Sequence, residues 1–250
     1  MKNLKKIKGD ASFRKFFRKK YKNNSLIVVI SKKEKNKNLL VYDAINKILI
    51  KNKISAPNLY QQNYSKNFIE IEDFGDDTIL KILIKKKNNK LFYFKKVIQI
   101  LDKIQNIKNK SIKNFKNKTF IIPKYTKKVL IKEANLFCEW YSKKKLPKND
   151  MNNFTRKFKK ITKSLSENLK LKNNVFVHRD FHISNLMLVK NKIGVIDSQD
   201  ALLGNRAYDV ASLIDDVRLK TSRSLKDKVY KHYILKQKKL DRNKFKNDFE

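Results

Sequence analysis

The stretch from residue 175 to residue 209 decides the fold, and it reads VFVHRDFHISNLMLVKNKIGVIDSQDALLGNRAYD. Two short apolar runs flank the polar residues around Asn191, a pattern typical of a β-hairpin. With Asn191 at the centre of the turn, Asn185 would lie opposite Asp197, about 5 Å away. Two oxygen-bearing side chains at that separation can share a Mg²⁺ ion, which prefers hard oxygen ligands.

A third oxygen-bearing residue, Asp180, lies five residues before Asn185 on the loop that enters the same hairpin. A carboxylate there can reach a substrate hydroxyl beside a metal-bound phosphate. Phosphoryl transfer requires a metal that neutralises phosphate charge and a base that orients the attacking oxygen. The spacing His-x-Asp-x-x-x-x-Asn, followed by Asp197, therefore indicates the catalytic and metal loops of the protein-kinase fold. Turn formation would explain the Asn or the Asp that flanks the hairpin if each occurred alone, but it does not explain their joint spacing.

Hydrophobic periodicity predicts strands and one helix in the first 75 residues. Residues 25–30 (SLIVVI) and 68–74 (FIEIEDF) are rich in β-branched and aromatic residues, as strands are. Between them, apolar residues in the segment 39–50 recur at helical spacing. After Gly75 the chain changes character, and the helix-compatible segments are 78–85, 92–107, 129–141, 154–169 and one around Val210.

This periodicity, together with the catalytic spacing, predicts an α+β, bilobal, protein-kinase-like fold. We expect a small β-rich N-terminal lobe that binds nucleotide over residues 1–75. A larger, mostly helical C-terminal lobe over residues 76–250 would hold the catalytic loop and the metal-binding hairpin.

The composition is strongly basic, with 62 Lys and Arg against 23 Asp and Glu and a formal charge of +39 over 250 residues. The apolar fraction of 40% is sufficient for a folded core, so the charge does not imply disorder. Lysine far outnumbers arginine and is dispersed together with much Asn and Ile. A genome-wide base bias explains this composition, and a selected polyanion-binding role is the alternative. Dispersed lysine without an aromatic-basic motif argues against nucleic-acid binding beyond non-specific electrostatics.

Three further features narrow the class of protein. A single cysteine, Cys138, excludes a disulfide framework and a Cys-rich zinc site. No apolar run approaches 18 residues, so we expect no membrane span. The basic N-terminus is not followed by an apolar stretch, so we expect no secretion signal and a soluble, cytoplasmic protein.

The stretch 175–209 resembles the aminoglycoside phosphotransferase family, which shares the protein-kinase-like fold. Within that family it is similar to the bacterial anomeric kinases for N-acetylmuramate and N-acetylglucosamine that act in cell-wall recycling. The resemblance extends to a phosphate-covering segment, an interlobe hinge and a helical-lobe signature, which are GDASFRKFFR (9–18), IEDFGD (71–76) and Glu133 with LFCEWY (136–141).

The resemblance implies a kinase that uses ATP and Mg²⁺ to phosphorylate the anomeric hydroxyl of an amino sugar in peptidoglycan recycling. Its partners would be a small-molecule sugar and a nucleotide. The alternative acceptors are choline, homoserine and an aminoglycoside, because the same catalytic residues could phosphorylate them. A non-enzymatic polyanion-binding protein is the rival class.

The resemblance also assigns roles to residues of the catalytic stretch. It implies Asp180 as the catalytic base, with Asn185 and Asp197 as magnesium ligands. It implies that His178 supports the loop and that Asp209 braces it by accepting backbone N–H bonds. An N-cap of the helix that follows is the alternative role for Asp209.

Nucleotide contacts are implied in two places. In the phosphate-covering segment they fall on Gly9, Ser12 and Arg14, where backbone N–H groups can cradle a phosphate even without a Gly-x-Gly-x-x-Gly pattern. At the hinge they fall on Glu72 and Asp73, whose backbone groups would flank the adenine.

The helical-lobe signature and the end of the chain carry two further expectations. Trp140 and Tyr141 could stack on a sugar face, but their helical spacing favours the core. The resembled kinases continue beyond Glu250, so we expect either a fragment or a shortened form. A shortened form would leave apolar surface of the large lobe uncovered.

Overall fold

The computed structural model describes residues 4–7, 14–21, 24–31, 38–85 and 89–250. Gly9 and Ser12, to which the resemblance assigns nucleotide contacts, lie outside the described residues.

An antiparallel five-stranded sheet forms most of the N-terminal part, in the strand order β1-β2-β3-β5-β4. The strands are β1 (Leu4–Lys6), β2 (Arg14–Lys20), β3 (Ser25–Ser31), β4 (Leu59–Asn63) and β5 (Phe68–Glu72). The apolar run SLIVVIS makes β3 the central strand, because four consecutive buried side chains fill both faces of the sheet there. The predicted strands at 25–30 and 68–74 are confirmed as β3 and β5.

Helix α1 (Asn38–Lys51) joins the sheet to the rest of the molecule. Its first part packs Leu39 and Tyr42 against β3 and β5. Its second part contributes Ile45 and Ile48 to the main core, which consists largely of residues from the C-terminal part. Apolar packing is therefore continuous across the predicted lobe boundary at residue 75.

The C-terminal part is mostly helical, as predicted. Its helices are α2 (Ile79–Lys85), α3 (Lys90–Gln105), α4 (Lys127–Leu136), α5 (Lys143–Lys145), α6 (Lys148–Asn168), α7 (Ala207–Ile214), α8 (Arg223–Lys236) and α9 (Arg242–Phe249). A π-helical turn, Phe137–Ser142, joins α4 to α5. Side-chain oxygens cap four of these helices at their N-termini, those of Thr78 (α2), Thr126 (α4), Ser222 (α8) and Asp241 (α9).

Three two-stranded antiparallel sheets interrupt the helices. The pairs are β6 (Ser111–Lys113) with β7 (Thr119–Ile121), β8 (Val175–Val177) with β11 (Leu202–Gly204), and β9 (Leu186–Val189) with β10 (Lys192–Val195). The β9–β10 pair is the hairpin predicted from the sequence. The β6–β7 pair was not predicted.

The register of the β9–β10 hairpin differs from the prediction by one residue. Its turn contains only Lys190 and Asn191, both with positive φ (45° and 63°), as a type I′ turn requires. The residue opposite Asn185 is therefore Ile196, whose N–H donates to the Asn185 carbonyl at 3.0 Å. The predicted pairing of Asn185 with Asp197 was wrong, because a two-residue turn shifts the partner strand by one position.

The hairpin lies tightly against the predicted hinge, the residue that follows it (Asp77) and Ser55. The N–H of Leu188 donates to the carbonyl of Asp77 at 2.8 Å, and the N–H of Val195 donates to that of Ser55 at 2.8 Å. Gly194 faces the ring of Phe74, and a β-carbon built at Gly194 would lie 2.6 Å from a ring carbon. Only glycine therefore allows β10 to lie this close to the hinge.

The aromatic segment after α4 departs from its expected place in the core. Trp140 and Tyr141 are 67% and 56% exposed. Phe137 stacks on Tyr141 and on Phe158 of α6, with ring centroids 5.2 and 5.4 Å apart.

Within the described ranges, no helix is long and apolar enough to cross a membrane.

Candidate active site

The predicted catalytic loop begins where β8 ends, and Asp209 holds its first two residues. One carboxyl oxygen of Asp209 accepts the N–H of His178 at 2.7 Å, and the other accepts that of Arg179 at 3.0 Å. Asp209 is fully buried in the first turn of α7, after the N-cap position. These bonds are the contacts expected of a residue that braces the loop.

His178 connects the loop to the end of the hairpin. It is fully buried, and burial lowers its pKa to about 4, so the ring is neutral near pH 7. Its Nε2 donates to the carbonyl of Ile196 at 3.1 Å. The loop is therefore held directly beside Asp197, the next residue along the chain.

Asp180 follows at the exposed end of the loop. The residue as a whole is exposed, but enough protein surrounds its carboxyl that desolvation raises the pKa. The negative charge of Asp197 raises the pKa further. A carboxylate with a raised pKa is a better proton acceptor than an ordinary one, as general-base catalysis requires.

Asn185 is oriented by hydrogen bonds within the same loop. Its amide nitrogen donates to the carbonyl of Asp180 at 3.1 Å and to Nε2 of His182 at 3.3 Å. The Nδ1 of His182 then donates to the hydroxyl of Ser184 at 2.8 Å. With its nitrogen directed to the loop, Asn185 can present its oxygen to a cation.

Asp197 follows β10 and adopts the left-handed backbone conformation, with φ of 61°. Its carboxylate accepts a hydrogen bond from the Gln199 amide at 3.0 Å. The same amide nitrogen donates to the carboxylate of Asp200 at 2.8 Å, so the two carboxylates lie close together. Sequence reasoning did not include Asp200 among the site residues. The Asp-x-x-Asp spacing in IDSQDA is the signal that would have found it.

Arg14 lies opposite this carboxylate pair. It is the first residue of β2, and its guanidinium is 3.9 Å from the Asp197 carboxylate and 3.8 Å from that of Asp200. The side chain of Arg14 is only 10% exposed. The structure thus brings a predicted nucleotide-contacting cation and a predicted magnesium ligand together across the two lobes.

The side chains of the two hinge residues are engaged in local contacts. Glu72 accepts from the side-chain amide of Asn58 at 2.7 Å. Asp73 accepts from the Ser25 hydroxyl at 2.7 Å and pairs with the Arg18 guanidinium at 2.6 Å. A nucleotide contact at the hinge would therefore come from the backbone, as the resemblance implies.

The oxygen donors at this site suit a Mg²⁺ ion that is shared with phosphate and water. Among the described residues, no three His, Cys, Asp or Glu side chains form a cluster that could hold a metal alone. Mg²⁺ usually takes one or two protein carboxylates and completes its shell with phosphate and water. The oxygens of Asn185, Asp197 and the adjacent Asp200 fit that requirement.

The chain belongs to a known family. The profile of the phosphotransferase enzyme family (APH) matches residues 3–238. Two curated relatives have the name N-acetylmuramate/N-acetylglucosamine kinase. The relative from Neisseria meningitidis serogroup B is 25% identical over 208 residues, 83% of this chain and 60% of its own length. The relative from Pseudomonas aeruginosa is 29% identical over 208 residues, 83% of this chain and 58% of its own length.

Solved structures share the fold. The ADP-bound aminoglycoside phosphotransferase APH(2'')-Ib has a TM-score of 0.65 at 18% identity, covering 94% of this chain and 78% of that one. The ethanolamine kinase of Plasmodium vivax has a TM-score of 0.65 at 14% identity, covering 100% of this chain and 72% of that one. The predicted α+β, protein-kinase-like fold is confirmed. The chain spans about three fifths of the length of the curated relatives it matches.

Proposed function

We propose that the chain is the catalytic part of a Mg²⁺-dependent kinase that transfers the γ-phosphate of ATP to a hydroxyl of a small molecule. The observation that supports the proposal most strongly is a set of hydrogen bonds. They connect Asn185 both to Asp180 and to the strand end directly before Asp197. Membership of the phosphotransferase family supports it independently.

Each side chain then has a distinct task. Asp180 accepts the proton of the acceptor hydroxyl while the oxygen attacks in line. Asn185 and Asp197 would hold Mg²⁺, which supplies neutralisation of the phosphate charge. Arg14 faces the same carboxylates, and its guanidinium is suited to bidentate contact with phosphate oxygens. Asp209 and His178 hold the loop in place.

The acceptor that we propose is the anomeric hydroxyl of N-acetylmuramate or N-acetylglucosamine. Both curated relatives described above have those sugars in their names, and they align over 83% of this chain. The lysine-rich surface favours an anionic acceptor such as N-acetylmuramate over a cationic one. A kinase for recycled cell-wall sugars would act in the cytoplasm, where ATP is available.

A panel of acceptors tests this proposal. Purified protein with ATP and Mg²⁺ is offered N-acetylmuramate, N-acetylglucosamine, ethanolamine and gentamicin, and phosphorylated products are identified by mass spectrometry. We expect phosphate on C1 of one or both sugars and on neither amine compound. Transfer to ethanolamine or gentamicin alone would contradict the acceptor, and transfer to water alone would contradict the kinase.

A further inference from the structure

We propose that Glu133 is a positioning residue for the catalytic loop and acts through Arg179. The proposal rests on the proposed kinase function. Glu133 lies on α4, outside the catalytic stretch, and one of its carboxylate oxygens pairs with the Arg179 guanidinium. Arg179 directly precedes Asp180, so whatever fixes Arg179 also fixes the position of the catalytic carboxylate.

Arg179 connects three separate parts of the large lobe. Its backbone N–H donates to Asp209 of α7 at 3.0 Å. Its guanidinium pairs with Glu133 of α4 and also donates to the carbonyl of Asp200 at 3.1 Å. A single side chain thus connects the loop of the proposed base to the loop of a proposed magnesium ligand, and Glu133 supplies the charge that balances it.

The backbone of Arg179 requires such an anchor. Its φ is +76°, in the left-handed region that residues with a β-carbon rarely adopt. Such a conformation persists only where surrounding contacts hold it, and these positions cluster at active sites. Without Glu133, the guanidinium would also lose its opposite charge and could turn toward the adjacent Asp180 carboxylate.

Glu133 is itself held in a fixed position. The Tyr125 hydroxyl donates to its second carboxylate oxygen, and burial raises the pKa of Tyr125 so that the hydroxyl remains protonated. The N–H of Tyr125 donates to the carbonyl of Leu203 in β11 at 2.8 Å, beside β8. The hydroxyl of Thr126 caps α4. This chain of contacts fixes Glu133 to the strand pair from which the catalytic loop emerges.

The first test uses turnover. Glu133→Gln keeps the shape and removes the charge, and Glu139→Gln makes the same change at an exposed position of the following π-helical turn. We expect Glu133→Gln to lower kcat per folded molecule about 10- to 100-fold, the equivalent of one charge-assisted hydrogen bond, with the KM for ATP within about twofold. The Glu139→Gln control should match the wild type. Equal kcat for both variants would overturn the proposal.

A double-variant cycle tests whether the effect passes through Arg179. If it does, Glu133→Gln combined with Arg179→Gln loses no more kcat than Arg179→Gln alone. Multiplied losses would show that Glu133 acts independently and would overturn the proposal.

Hydrogen exchange tests the positioning without turnover. We expect the amides of Arg179 and His182 to exchange at least about tenfold faster in Glu133→Gln, but not in Glu139→Gln. Unchanged exchange would overturn the role of Glu133. If the wild type phosphorylates no acceptor, the proposed function fails, and the exchange result alone decides the role of Glu133.

Discussion

Replacement of Gly194 by alanine tests whether the β9–β10 hairpin is positioned by direct contact with the predicted hinge. A β-carbon at this position would lie 2.6 and 2.9 Å from two ring carbons of Phe74. Phe74 is only 9% exposed, so its ring has little free space into which to move. To reach ordinary contact at 3.4 Å, the ring or strand β10 must shift by about 0.8 Å.

The expected loss of stability follows from that displacement. Insertion of one methyl group into a packed site usually destabilises a protein by about 1–3 kcal/mol. We expect Gly194→Ala to reduce the free energy of unfolding by that amount. Because Phe74 lies directly before Gly75 in the predicted hinge, beside the proposed nucleotide contacts, the KM for ATP should rise as well.

Urea unfolding at constant m-value measures the change. The matched variant is Phe74→Ala, which removes the ring. In the double variant, the two losses should fall short of additivity by about 1 kcal/mol or more, because the clash no longer exists. A loss below about 0.5 kcal/mol in Gly194→Ala, or strictly additive losses, would refute the contact as the positioning device.

Two further predictions concern charge. Burial lowers the pKa of His178 to about 4, so between pH 4 and 6.5 this residue makes the protein more stable as pH rises. Burial raises the pKa of Asp209 to about 7, so over the same window this residue makes the protein less stable as pH rises. Asp209→Asn should therefore steepen the rise of unfolding free energy over that window, and parallel profiles would contradict the assignment. In the predicted hinge, burial by itself would raise the pKa of Asp73, but hydrogen bonds from Ser25 and Arg18 bring it below its usual value. Arg18→Gln should raise that pKa toward 3.8, so that the variant is less stable near neutral pH and loses less stability than the wild type on acidification, as carboxyl NMR titration and acid unfolding would show.

Local patterns in the sequence predicted much of the fold. Helix α1 and strands β3 and β5 were predicted because their apolar spacing is regular and their ends are marked by polar residues. The β9–β10 hairpin was predicted for the same reason. Its register was not, because Lys190 gives no sign of the positive φ that makes the turn two residues long.

Contacts between distant segments could not be predicted in this way. The approach of Arg14 to Asp197 joins residues from opposite ends of the chain. The pairing of Glu133 with Arg179 depends on how α4 lies against the catalytic loop, which no periodicity indicates. The exposure of Trp140 was missed because helical spacing identifies a face of a helix but not what covers that face.

The assignment of Asp180 is tested most directly by comparison of turnover with nucleotide binding in Asp180→Asn. The wild type and the variant are assayed for phosphate transfer from ATP and Mg²⁺ to N-acetylmuramate, and ATP affinity is measured by calorimetry. We expect turnover to fall about 10²- to 10⁴-fold, the usual contribution of a general base, while ATP affinity changes little. Undiminished turnover in a variant that binds ATP normally would contradict Asp180 as the base.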